Sequence, residues 1–252
     1  MNFKDLPQPN NFDLIKLEFS FKDVLPLADF NSLYRLLKVR KAELKEAQFK
    51  ELSQNIDQLR ELVLKQDLLK FRGLYQFFKA KASKNTVSLY NQNEELLTSF
   101  EFPRLNNVSL ADFISKNSFD SIALMVVTAG NEALEQVGKF QQAGEYVNSL
   151  LFSNMAIMGT EAAAEFMHKK IREAWQIAEE KPLTIKDLLA HKYRGIRVSL
   201  GYPRCPNLAD QQKIWQLLKP DQKIGVNLTE NFMMQPELSV SALVFHTFHG
   251  EL

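Results

Sequence analysis

From Ser121 to Val127 the chain reads Ser-Ile-Ala-Leu-Met-Val-Val, with no polar break after its first residue. A strand with one wetted face alternates apolar and polar side chains. A run of this length without alternation reads as a central strand. Whatever this chain folds into must therefore build a sheet around residues 121–127. Three further strands precede it. Gly73 to Lys81 is rich in aromatics, Thr86 to Tyr90 alternates as a half-buried strand does, and Leu97 to Phe102 follows. Ser83-Lys84-Asn85 and Asn91-Gln92-Asn93 supply the turns, so the pattern is an antiparallel meander.

Helical patterns surround these strands. Phe49, Leu52, Ile56, Leu59 and Val63 form one apolar stripe within a helix predicted over 41–65. A stripe of that length suits packing onto a sheet better than a coiled coil. Ser109 is a candidate N-cap within a short helix read at 107–113. Helices are also predicted over 132–142 and 146–179, the second containing the Ala-rich Glu161-Ala162-Ala163-Ala164-Glu165. Thr184 caps a further helix through Leu189, and another spans 210–218. Residues 223–228 and 239–245 are strand-like. This order predicts an α+β fold, a twisted antiparallel sheet flanked by long helices. Residues 1–24 are read as an N-terminal arm, with Pro7 and Pro9 extending its first half, and 25–252 as a single domain.

The charge balance is +1, which provides no field to attract nucleic acid or an anionic membrane. One cysteine excludes an internal disulfide. The N-terminus lacks the apolar core of a signal peptide, and no apolar run reaches membrane-spanning length. A cytoplasmic protein is the expectation. The Rossmann, P-loop and nucleophile-elbow motifs are absent, and Cys205 has no second cysteine with which to hold zinc. His246 and His249 fall on opposite faces of a strand, which argues against a shared metal. His168 reads as a satisfied, partly buried imidazole. Glu161 and Glu165, four residues apart, share a helix face, as a solvated pair or as two acids at a cleft.

The segment Arg194-Gly195-Ile196-Arg197-Val198-Ser199-Leu200-Gly201-Tyr202-Pro203-Arg204-Cys205-Pro206 concentrates arginine, glycine and proline. Such a composition holds a defined irregular path, beside which an arginine can grip a carboxylate with parallel hydrogen bonds. An ordinary surface loop has the same composition. Its order resembles G-I-R-P-x-P-G-Y-P-x-C-P of the activation domain of cobalamin-dependent methionine synthase. Gly195-Ile196-Arg197, Gly201-Tyr202-Pro203 and Cys205-Pro206 match, as do Ile214-Trp215-Gln216-Leu217-Leu218, Leu228-Thr229-Glu230, Met234, Pro236 and Ser239-Val240-Ser241. Upstream, Leu110-Ala111-Asp112-Phe113, Asp120-Ser121-Ile122 through Gly130, and Thr160 to His168 resemble further family motifs.

The resemblance implies a protein that binds S-adenosylmethionine and docks the cobalamin-binding module of methionine synthase. Its methyl group, with an electron from flavodoxin, would return cob(II)alamin to the active form held by that partner. It also implies site roles. Arg197 would hold the ligand carboxylate and Asp120 its ammonium. Gly201 and Ser199 would give the backbone close approach, Tyr202 would meet the adenosyl end, and Glu161 would oppose the sulfonium. The family carries prolines where Val198 and Leu200 stand, and continues past the position of Leu252 through a strand and helix that contribute a tyrosine. The expectation is a short stand-alone protein acting in trans. The alternatives are a docking partner that binds no ligand and a reactivation factor for another corrinoid methyltransferase.

Overall fold

Strand β2 (Lys70–Ser83) is the longest in the sheet and organises it. Its side chains alternate between two apolar layers: Phe71, Tyr75 and Phe77 face one, Leu74, Phe78, Ala80 and Ala82 the other. One edge of β2 pairs with β5 (Asp120–Thr128). The other edge is shared. Its N-terminal half pairs with β1 (Ile15–Ser20) and its C-terminal end with β3 (Thr86–Tyr90), which in turn pairs with β4 (Leu96–Glu101). Beyond β5 lie β9 (Ser239–Phe248) and, at the edge, β6 (Arg194–Val198). The order is β4-β3-β2-β5-β9-β6, and every pairing is antiparallel. This computed structural model describes residues 6–39, 45–181 and 183–248.

Helices α1 (Phe21–Val24), α2 (Phe30–Leu36), α3 (Glu46–Gln66), α4 (Gly130–Gln142) and α5 (Tyr146–Ala174) cover one face. In α3 the stripe resolves by depth: Ile56, Leu59 and Val63 are buried, while Phe49 and Leu52 are only partly covered. Each fully buried side chain of this kind contributes roughly 1.5–3 kcal/mol. Helix α5 lies closest to the sheet. Ala162, Ala163 and Ala164 are buried in it, and a Cβ on Gly73 would stand 2.5 Å from Met167 Sδ. The opposite face is covered by α7 (Gln211–Leu218), α8 (Pro220–Ile224) and the 3₁₀ turn Leu110–Phe113. With both faces covered, every residue of β5 is buried, which is why its sequence does not alternate. The helix α6 (Ile185–Leu189) begins at the expected cap, where Thr184 Oγ accepts from the Asp187 N–H. A separate two-stranded ribbon joins β7 (Asn227–Leu228) to β8 (Met234–Gln235).

The structure departs from the sequence reading at five places. Residues 15–24, assigned to an arm, form β1 and α1. The preceding stretch is held too: Pro7 O accepts from Ser121 Oγ at 3.3 Å, and the Asn10 N–H donates to Ala174 O at 3.0 Å. The helix predicted from residue 41 starts at Glu46, and 40–44 lie outside the described residues. The long helix ends at Ala174 rather than 179, because Trp175 turns into the core and Gln176 takes φ 59°. Trp175 packs tilted against Phe77, ring centroids 4.9 Å apart, and donates its Nε1–H to Ser121 Oγ. Residues 220–224 are helical where a strand was expected from 223. Pro220 starts that helix and Gly225, at φ 72°, ends it. Finally, the first five residues of the loop at 194–206 are the edge strand β6, with a register shift at Gly195.

Candidate functional site

The remainder of the 194–206 segment is a tight turn. The Gly201 N–H donates to Cys205 O and the Cys205 N–H to Tyr202 O, both at 2.8 Å, with Gly201 at φ 90°. A side chain at that φ is strained, so glycine is required there. The turn is anchored by Leu200 and Cys205, both buried. Burial, with smaller help from Asp210, pushes the Cys205 thiol up to about 12. Opposite these anchors, Tyr202 projects with 65% of its surface exposed.

This turn and β6 form one side of an open groove of about 760 Å³, within the range of small-molecule sites. Arg197, Ser199 and Tyr202 line it, and Glu161 reaches it from α5. The far side comes from Met233, Met234 and the first residues of β9, Ser239 to Ser241. A polar relay holds that side in place. Ser241 Oγ donates to Gln211 Oε1, and Gln211 Nε2 donates to Phe232 O at 2.8 Å. The turn at Leu228-Thr229-Glu230 shapes this side without lining it: the Thr229 N–H donates to Met233 O and the Phe232 N–H to Thr229 O.

Arg197 sits where two cavities meet. Its Nη2 is 3.8 Å from Glu161 Oε2, its Nη1 is buried without a hydrogen-bond partner, and its side chain is 21% exposed. Arg197 and Glu161 also line a second pocket, of about 340 Å³, with Asp29, Glu165, His191 and Tyr193. Glu165 faces this pocket from one helical turn beyond Glu161. Burial raises its carboxyl, but His168, Arg197 and Arg172 around it outweigh that and hold it below the usual range. His168, fully buried, is pushed down by desolvation, and neither ring nitrogen has a hydrogen-bond partner. The sequence anticipated a satisfied, partly buried imidazole; the ring is instead deeply buried and unsatisfied. Arg172 is also buried; its Nη1 meets Glu179 Oε2 at 2.5 Å and its guanidinium covers the Tyr193 ring. Burial, reinforced by Glu165, raises the Tyr193 hydroxyl well above its ordinary value.

Five of the six anticipated site residues thus meet at the groove: Glu161, Arg197, Ser199 and Tyr202 line it, and Gly201 supports its turn. Asp120 does not. It is buried at the opposite end of β5, where its Oδ1 lies 2.8 Å from His246 Nε2 and accepts from the Ser121 N–H. Its Oδ2 accepts from the Ser115 N–H. Arg197, on the edge strand β6, pairs with Val244 of β9, which pairs with Ala123 of β5. Asp120 therefore lies two strands away from Arg197 and three residues, about 10 Å, further along. His246 is therefore a structural partner of Asp120, and His249 lies outside the described residues. Glu165 was one of two acids that the sequence offered for a cleft, from its spacing to Glu161. Asp29, Tyr193, Gln211 and Met233 were not anticipated; they join the two cavities through tertiary folding alone. Among the described residues no group of three His, Cys, Asp or Glu side chains could hold a metal, and no helix is long and apolar enough to cross a membrane.

A family model described as "Vitamin B12 dependent methionine synthase, activation domain" matches residues 15–251. The methionine synthase of Mycobacterium leprae is 29% identical over 192 residues, covering 69% of this chain and 16% of that protein. The methionine synthase of Mycobacterium tuberculosis gives the same identity and coverage. The chain therefore corresponds to a small part of these relatives. In three dimensions it resembles the crystal structure of the MetH reactivation domain bound to AdoHcy. The TM-score is 0.88 at 23% identity, over 97% of this chain and 81% of that one.

Proposed function

The chain belongs to the family of vitamin B12-dependent methionine synthase activation domains, and from that premise we propose that it binds S-adenosylmethionine at Arg197. It presents the methyl group to a cobalamin held by a separate module, on the same chain or another. The observation that carries this reading is the unpartnered Nη1 of Arg197, in a groove of ligand size. A buried guanidinium nitrogen without a partner is costly, and a ligand carboxylate satisfies it with charge-assisted hydrogen bonds.

The ligand spans both cavities. Its amino-acid end enters the smaller pocket, with the carboxylate on Arg197. The adenosyl end lies in the groove, where Tyr202 offers an exposed aromatic face to the adenine. Ser199 and Gly201 allow the backbone to approach the ribose. Glu161, 67% exposed at the rim, faces the sulfonium, whose positive charge disappears when the methyl group leaves. The contribution of the protein is position: the donor is held outward at a fixed orientation, so transfer to a docked acceptor becomes effectively unimolecular. The corrinoid supplies the methyl-acceptor chemistry when its module docks. Flavodoxin is the proposed electron source, and the cytoplasm the proposed compartment. The related MetH domain bound to AdoHcy supports this ligand class.

Titration calorimetry with S-adenosylmethionine tests the reading. Saturable heat at one ligand per chain is expected, and no heat at millimolar ligand refutes it. Adding a cobalamin-binding module with reductant and ligand should then methylate the corrinoid, which its absorption spectrum reports.

A further inference from the structure

From Tyr146 to Thr160 helix α5 carries no charged side chain, although 24% of the chain is charged. A helix segment without a charged face is normally buried all round. This one is not. Leu151, Phe152, Met155 and Ala156 face the core, but Tyr146, Val147, Leu150 and Ile157 form a stripe on the other side, with Tyr146 72% and Leu150 58% exposed. Leu134, also exposed, widens the stripe from α4. The two helices are fixed to each other there: Ser149 Oγ donates to Val137 O, and Phe140 packs on Phe152.

The place of this face in the fold limits what can cover it. Trp175, just past the end of α5, meets Ser121 at the start of β5. A Cβ on Gly159 would touch Phe71, level with the end of β5. Helix α5 therefore runs antiparallel to β5, and residues 146–158 continue about 20 Å past the end of that strand. Both ends of the described chain lie at the other end of the sheet. Pro7 is held at Ser121, and β9, antiparallel to β5, carries Phe248 past the level of Asp120. A segment continuing from either end thus emerges about 40 Å from Leu150. The area suits a second copy instead. A stable dimer buries about 800 Å² per partner, about 65% of it apolar in homodimers, and the five side chains, with about 500 Å² exposed, supply that apolar share. A two-fold contact lays one face on itself, and the stripe holds no like charges to repel each other there.

We propose that the chain forms a two-fold symmetric dimer through this face, α5 crossing α5 of the second copy at Leu150. The inference is independent of the ligand reading of the groove. Sedimentation equilibrium of the wild-type chain between about 1 and 100 µM tests it. The mass should rise from 29.0 kDa toward twice that value. Leu150→Glu should weaken association about 30-fold or more, the scale of a buried hot-spot residue. Leu96→Glu, at a side chain 61% exposed on β4, should leave association unchanged. Leu150→Cys brings the new thiol onto its own copy, so mild oxidation should cross-link the dimer, while the buried Cys205 stays reduced. A wild-type chain that remains at 29.0 kDa throughout overturns the proposal. If that monomer sediments with phosphatidylcholine vesicles, the face is a membrane contact instead. A dimer that survives Leu150→Glu, or that Leu96→Glu breaks, is built on another surface and overturns the proposal equally.

Discussion

Arg197→Ala separates a binding role for this side chain from a structural one. In the free protein the guanidinium makes no close ion pair, its charge acting at longer range on the buried Glu165 carboxyl. Its nearest acid is the exposed Glu161 at 3.8 Å, and Nη1 has no hydrogen-bond partner. An exposed pair of that length is worth less than about 1 kcal/mol, so the unliganded variant should unfold close to the wild type. With ligand bound the balance changes. A hydrogen bond to a charged group contributes about 1.5–3 kcal/mol, and a loss near 2 kcal/mol weakens binding about 30-fold. Ligand at 100 times the wild-type dissociation constant stabilises that protein by about 2.7 kcal/mol, and the variant, at the same concentration, by about 0.9 kcal/mol. For a chain of this size each kcal/mol moves the midpoint by about 2–4 °C. Differential scanning calorimetry should therefore show a ligand shift of about 5–11 °C in the wild type and about 2–4 °C in the variant. Affinity within threefold of wild type refutes the carboxylate assignment. A variant destabilised by several kcal/mol without ligand shows instead that Arg197 holds the fold.

Three other outcomes are expected. Burial holds His168 neutral below its unfolded pKa, so the unfolded chain takes up a proton there first. Stability is then complete above pH ~6.5 and falls below it by up to about 1.4 kcal/mol per pH unit, a slope that His168→Gln should remove from urea midpoints measured between pH 5 and 7.5. Gly73→Ala places a Cβ 2.5 Å from the buried Met167 Sδ. It should cost about 1–3 kcal/mol in chemical denaturation, partly recovered when Met167→Ala is added. Cys205, buried with its thiol pushed up to about 12, should resist iodoacetamide at pH 8 in the native chain and react fully in guanidinium.

The meander was legible because its information is local. Thr86–Tyr90 alternates between two turns, and residues 121–127 are apolar throughout, so strand type followed from pattern alone. The Thr184 cap was legible for the same reason. The misreadings share a cause in tertiary packing. Ile224, Val226 and Leu228 alternate as a strand over 223–228 would, yet 220–224 are a helix, in which Ile224 joins Trp215 and Leu218 in the core under the sheet. Residues 15–20 are the exception: Ile15-Lys16-Leu17-Glu18-Phe19-Ser20 alternates apolar and polar side chains as a half-buried strand does, and it pairs with β2. Helix 146–179 stops early because Trp175 finds Phe77 and His246 across the sheet.

The site divides along the same line. Glycines and prolines in consecutive positions made the turn in 194–206 legible, but its composition fitted a surface loop equally well, and it was the resemblance to the family motif that pointed to Arg197 and Tyr202. The spacing of Glu161 and Glu165 was enough to place both on one helix face. Which acids meet Arg197 depends on strand pairing and helix packing between distant segments. Asp120 is adjacent to the central strand in sequence yet lies at the wrong end of it, satisfied by His246. Glu165, which read either as one half of a solvated pair or as an acid at a cleft, lines a pocket with Asp29, His191 and Tyr193. Periodicity tells a side chain which face it shares; only the folded sheet and α5 decide which charge it will find there, and whether that charge is already taken.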